Sequence, residues 1–206
     1  MFKTLRKALI GLFIACLAGT LYYFLSKPTY RRALEQSAAE LRERVQETEK
    51  KPVWQGMVVV TNVIDGDTIV VRTEQHPQVV VRLAGIDAPE VPHPKHDPGQ
   101  PLAKESRDFL VNLITNKALT MSIVAVDALK RPVVLLTDGD KLVNTEPLAA
   151  GMAETYEEFF DSLSVKVQNA LKNAEFDAKQ KSLGIWGLTN YQRPSEYRIR
   201  HPWPPN

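Results

Sequence analysis

MVVVTNVIDGDTIVVRTEQHPQVVVRLAGIDAPE, residues 57–90, is the stretch from which the fold is read. It holds three short runs rich in β-branched side chains, at 57–64, 69–72 and 79–84. An Asp-Gly turn signal separates the first two and a His-Pro signal the last two, the pattern of consecutive short strands. Farther along, residues 119–126 alternate Leu119, Met121, Ile123 and Ala125 against Thr120, Ser122 and Val124, as a half-buried strand does. A fifth run, 133–137, closes on the turn Asp138-Gly139-Asp140.

Helical signals lie between and after these runs. Pro101 suits a first helical turn, and Leu102, Ser106, Phe109, Leu110, Leu113 and Ile114 then share a face. Residues 142–151 read as a short helix with glycine at its end. Residues 163–181 read as a longer one, striped by Val167, Ala170, Leu171, Ala174 and Ala178. Five strands with a helix inserted after the third predict an α+β fold: a five-stranded OB-type β-barrel with about three packed helices.

The domain expected at 53–188 is preceded by a different kind of sequence. Residues 8–25, ALIGLFIACLAGTLYYFL, carry no charge and reach the lower limit for a bilayer-spanning helix. Lys3, Arg6 and Lys7 lie in the basic start at 1–7, and Tyr22 and Tyr23 sit near one end, where rings favour the headgroup layer. A cleaved signal would have a shorter apolar core; here the apolar residues run on past Ala18 to Leu25. The expectation is therefore a single-pass transmembrane anchor that meets the lipid bilayer through 8–25. The first acidic residue is Glu35, and an acid-free basic start suits a mitochondrial membrane as well as a secretory route. Residues 26–52 turn highly charged, with Leu34, Ala38, Leu41 and Val45 at helical spacing, and read as a stalk helix. Residues 189–206 read as a Pro-rich tail.

Composition narrows the function classes. A hydrophobic fraction of 44% makes the chain globular, and a net charge of +2 is too small to imply nucleic-acid binding by itself. Cys16 is the single cysteine, so an intrachain disulfide and a cysteine zinc cluster are both excluded. His93 and His96 sit among Pro92, Pro94, Pro98 and Gly99, which reads as a solvated loop and not a metal pair.

Three segments carry potential chemistry. The first is Asp65-Gly66-Asp67-Thr68, between two strands. In the second, Arg82 to Glu90, Arg82 interrupts an apolar strand, where a charge is costly unless paired; Asp87 and Glu90 follow, pinned by Pro89. The third is Lys130-Arg131-Pro132, at the junction of two later strands. Singly, each is an ordinary turn, strand end or hairpin tip. Together they suit phosphodiester hydrolysis. Two aspartates supply hard oxygen ligands for Ca²⁺ or Mg²⁺, a glutamate takes a proton from water, and two arginines present donor forks to phosphate oxygens.

Asp65-Gly66-Asp67-Thr68, the run RLAGIDAPE at 82–90, Arg131 after Asp127, and the later DGDKLVN and LGIW resemble the staphylococcal-nuclease family in order and spacing. The anchor and the tail Pro194-Ser195-Glu196-Tyr197-Arg198 look further like a fungal branch of probable endonucleases of mitochondrial membranes. The resemblance implies endonucleolytic cleavage of DNA or RNA that leaves a 3′-phosphate. It implies Asp67 and Asp87 as metal ligands, Glu90 as general base, and Arg82 and Arg131 as phosphate-contacting arginines. Calcium is the family's ion, though the same ligands would accept Mg²⁺ or Mn²⁺. Ala88 stands where the prototype has a threonine that ligates through its carbonyl. Leu129-Lys130 replace a tyrosine-glycine, leaving open whether Lys130 or Arg131 faces the phosphate. Glu154, Glu157, Glu158 and Asp161 are expected to repel a polyanion, while Tyr156 or Phe159 could stack a base. The leading expectation is an active, sugar-nonspecific nuclease; the alternatives are a nuclease-fold binding module that no longer cleaves and a structural subunit of a membrane complex. The sequence names no protein partner.

Overall fold

The computed structural model describes residues 51–93, 98–115 and 117–202, together with 23, 26–30, 32 and 35–37. The expected anchor at 8–25 lies outside the described residues except for Tyr23. Among the described residues no helix is long and apolar enough to cross a membrane. Within the expected stalk, positions 28–30, 32 and 35–37 are helical, and most of the remainder also lies outside the described residues.

The chain from 51 onward contains strands β1 (Trp54–Val63), β2 (Thr68–Arg72), β3 (Val79–Leu83), β4 (Ile86–Asp87), β5 (Leu119–Val126), β6 (Pro132–Asp138), β7 (Lys141–Leu142) and β8 (Glu154–Thr155). Helices α1 (Ala103–Ile114), α2 (Thr145–Ala149), α3 (Val165–Gln180) and α4 (Pro194–Arg200) accompany them, with 3₁₀ turns at Glu157–Ser162 and Gly184–Gly187. β1, β2 and β3 form an antiparallel meander, β1 and β6 both pair antiparallel with β5, and a parallel β3–β6 pairing closes the barrel. The five-stranded barrel expected from the sequence is the one observed. The short β4–β8 pair, both 3₁₀ turns and α4 were not expected.

β-branched side chains fill the barrel because they fit a pleated, half-buried surface. Val58, Ile69, Val71, Val81, Val133 and Val134 are buried, with Leu110 and Ile114 of α1 joining the same core. A register shift between Val60 and Asn62 flips the inward parity of β1, so that Val58 and Val63 both face the core. Buried Asn144, from the DGDKLVN run, clamps the closing seam. Its Nδ2 donates to the carbonyls of Ala84 and Val134 and its Oδ1 accepts from the Leu136 amide. That clamp fixes where β3 ends, and so where Asp87 and Glu90 begin.

Candidate active site

The turn between β1 and β2 is tied by its first residue. Asp65 Oδ1 accepts from the amides of Asp67 at 2.9 Å and Thr68 at 2.6 Å, an Asx turn. A side chain at Gly66 would run into Ser106 Oγ and the Ala88 methyl, so the loop lies directly against α1 and the segment after β4. Antiparallel pairing sets Thr68 opposite Arg82, which brings Asp67 beside the Arg82 guanidinium.

Three charges then interlock in the barrel wall. Arg82 Nη1 donates to Asp67 Oδ1 at 3.0 Å and its Nη2 to Asp87 Oδ1 at 2.7 Å. Asp67 Oδ1 also accepts from Thr68 Oγ1, and its Oδ2 from the Ala88 amide. Arg82 is 8% exposed, Asp67 3% and Asp87 0%, so this network is inside the protein. Burial works against ionised Asp67, but Arg82, the Ala88 amide and the Thr68 hydroxyl outweigh it and hold the carboxyl below its ordinary range. Desolvation and the neighbouring Asp67 push the Asp65 carboxyl up. Burial opposes the charge on Arg82, yet its two aspartates raise its pKa further.

Glu90 is positioned by Gln100, which the sequence reading passed over. Gln100 Oε1 accepts from the Glu90 amide at 3.0 Å, and its Nε2 donates to the Gln192 carbonyl at 2.8 Å. Desolvation raises the Glu90 pKa, while its bond from Arg198 works in the opposite sense. Arg198, noted in the sequence only as part of the tail and not as a site residue, reaches in from α4. Its Nη1 donates to Asp87 Oδ1 at 2.8 Å and to Glu90 Oε1 at 2.6 Å, and its Nη2 to Asp87 Oδ2 at 3.0 Å.

Arg131 comes from the β5–β6 hairpin. Its Nε donates to Asp127 Oδ2 at 2.7 Å and its amide to Asp127 Oδ1 at 2.8 Å. Lys130 takes up positive φ at the tip. The two basic residues thereby part company. Arg131 lines a groove shared with Asp65, Arg82, Glu90, Tyr156 and Arg198, whereas Lys130 lines a separate depression with Trp54 and His76. The groove has a volume of about 460 Å³, within the range of small-ligand sites. The Arg82 guanidinium lies 5.3 Å from the centre of the Tyr156 ring, and Phe159 completes an aromatic side of the groove.

The carboxylates suit a hard cation by chemistry, but their oxygens are engaged. Both oxygens of Asp67 and both of Asp87 accept bonds from protein donors, and Arg198 holds Glu90 Oε1 as well. No group of three or more acidic, histidine or cysteine side chains among the described residues is arranged to hold a metal ion. With α4 seated, this donor set does not fit a divalent cation.

Residues 80–187, more than half of the chain, match the family described as Staphylococcal nuclease homologue. This chain belongs to the staphylococcal nuclease family. Among its relatives, a probable endonuclease lcl3 of Pyrenophora tritici-repentis is 31% identical over 137 residues, covering 59% of this chain and 50% of the relative. The probable endonuclease LCL3 of Saccharomyces cerevisiae (strain ATCC 204508 / S288c) is 30% identical over 129 residues, covering 60% and 47%. An uncharacterized endonuclease of Haemophilus influenzae is 27% identical over 140 residues, covering 68% and 71%. The chain spans about half the length of the fungal relatives it matches.

The staphylococcal nuclease match leaves out both the Asp67 loop and α4, so Arg198 reaches the family's core from beyond the matched span. The acidic stretch after Gly151 needs a correction. Glu154 is 2% exposed and accepts from Arg193 Nε at 2.8 Å and Tyr191 Oη at 3.0 Å, while Glu157 pairs with Lys172. Of the four acids named from the sequence, Glu158 is the one that lines the groove. One signal for the missed helix was local: Pro194 is well suited to its first turn.

Proposed function

We propose that this protein is a membrane-anchored endonuclease that hydrolyses phosphodiester bonds of DNA or RNA. The observation that carries the reading is the single groove that contains Arg82, Arg131 and Glu90 together. Two guanidinium forks along one wall suit the charged oxygens of a phosphodiester and the extra negative charge of its transition state. Glu90, held by Gln100 and raised in pKa by desolvation, takes the proton of the attacking water as its oxygen bonds to phosphorus, while the P–O bond to the departing sugar oxygen breaks and that oxygen takes up a proton from solvent. Tyr156 and Phe159 offer aromatic faces to a neighbouring base.

Dependence on a divalent cation, calcium first, belongs to the same proposal. Asp67 and Asp87 would hold it, and only once Arg198 has left Asp87. The test is the purified full chain in mild detergent, incubated with single-stranded DNA and calcium. Cleavage is expected, lost with chelator and in Glu90→Gln; uncut DNA under every cation supplied would end the nuclease reading. A second reading, a nuclease-fold module that binds without cleaving, is favoured by one observation, the Arg198 fork on Asp87 and Glu90.

The anchor and its mitochondrial membrane are proposed from residues 8–25 and the acid-free start. Alkaline carbonate extraction of fractionated mitochondria should leave the protein in the pellet. Its release into the supernatant, or a mature chain beginning after Leu25, would contradict the anchor.

A further inference from the structure

The segment from Tyr191 to α4 is held to the domain at separate points. Tyr191 and Arg193 both bond buried Glu154, the Gln192 carbonyl accepts from Gln100, and Pro194 and Tyr197 are themselves buried. Tyr197 stacks on His201 with ring centres 4.1 Å apart. This seating aims one side chain inward. The planar fork of Arg198 meets both oxygens of Asp87, and one of its nitrogens also meets Glu90. A bidentate fork on a carboxylate is among the stronger and more directional ion pairs available to a protein.

We infer that Arg198 is a built-in cation of this site, competing with a divalent metal ion for the Asp87 carboxylate while also holding Glu90, so that metal entry requires α4 to unseat. The inference rests on the proposed cation site. An oxygen that accepts a guanidinium hydrogen along its lone pair does not present that lone pair to a metal, and a metal ion would be a third cation at a carboxylate that Arg82 and Arg198 already share. Competition has a quantitative signature. If α4 is unseated in about one molecule in a hundred, the apparent metal affinity is about a hundredfold below the intrinsic one. Gln100 makes the coupling two-sided, because it holds the Glu90 amide with one end and the Gln192 carbonyl with the other.

The test compares calcium binding by titration calorimetry for the full chain in mild detergent, as wild type, Arg198→Ala and Arg193→Ala. Arg198→Ala should bind calcium at least about tenfold more tightly. Arg193→Ala loosens the segment while keeping Arg198 and every carboxylate of the site, and should shift affinity in the same direction. Hydrogen exchange on the wild type then reads the helix directly: saturating calcium should speed exchange across 194–200. Equal affinities in the three proteins would overturn the inference, as would an α4 that keeps its protection at saturation. Absence of calcium binding in all three proteins would overturn it too. These readouts record binding alone. A protein that shows both effects yet cuts no nucleic acid would refute the nuclease reading and leave the competition standing.

Discussion

The two arginines proposed to contact the phosphate differ in how the protein holds them. Arg82 rises from β3 inside the barrel wall, 8% exposed, with an aspartate on each side. Arg131 sits at the foot of a hairpin, its side chain 27% exposed, with one aspartate four residues away. The first is part of the architecture; the second is presented by it. Function and stability should therefore be inseparable at Arg82 and separable at Arg131.

The sharpest test of that contrast is Arg82→Met. It leaves Asp67 and Asp87 buried without their shared cation, and breaking a buried pair from one side costs on the order of 3–5 kcal/mol. Urea denaturation should show a loss of that size together with loss of cleavage. Unchanged stability would mean that Arg198 or water takes over the pairing. Glu90→Gln comes next. Turnover should fall on the order of 10²–10⁴-fold while the urea midpoint stays near wild type. Gly66→Ala strikes the β1–β2 turn that carries Asp67, where the added methyl meets Ser106 and Ala88. Overpacking there should lower stability by about 1–3 kcal/mol, read by thermal unfolding.

At the hairpin, Arg131→Ala should shift stability by less than about 1 kcal/mol, as for other part-exposed pairs, yet cut activity strongly. Lys130→Ala should leave activity near wild type, and the reverse outcome would exchange their roles. The smallest effect is one of pH. Burial opposes ionised Asp127, but the Arg131 amide and side chain outweigh it and hold its pKa below the ordinary value. A depressed carboxyl stabilises the fold above its unfolded pKa and loses that contribution as pH falls through the folded one. Comparing wild type with Asp127→Asn between pH 5 and about pH 2.5 should show the wild type losing roughly 0.3–1 kcal/mol of its advantage.

The barrel was legible because its strands are short, β-branched and bounded by Asp-Gly and His-Pro turns, signals that each reside in a few neighbouring residues. Arg82 stood out for a similar reason, since a charge set in an apolar strand requires a partner; Asp67, Asp87 and Glu90 drew notice only as an ordered set that resembles a family. The two-residue strands β4 and β8 were not, since a pair joining Asp87 to Glu154 has no periodicity to detect. The acidic stretch after Gly151 misled for a related reason. Sequence records that Glu154 is acidic, but not that Arg193 and Tyr191 fold back to neutralise it.

The residues by themselves thus determined the five-stranded barrel and the roster of charged groups proposed to act on a phosphate. Those features depend on local turn chemistry, alternation and the cost of burying charge. Tertiary structure alone decided which groups share the groove. It turned Arg131 inward and Lys130 away, braced Glu90 with Gln100, and carried Arg198 across 111 positions of chain to Asp87. Such meetings depend on where distant segments pack, and no spacing within the chain encodes them.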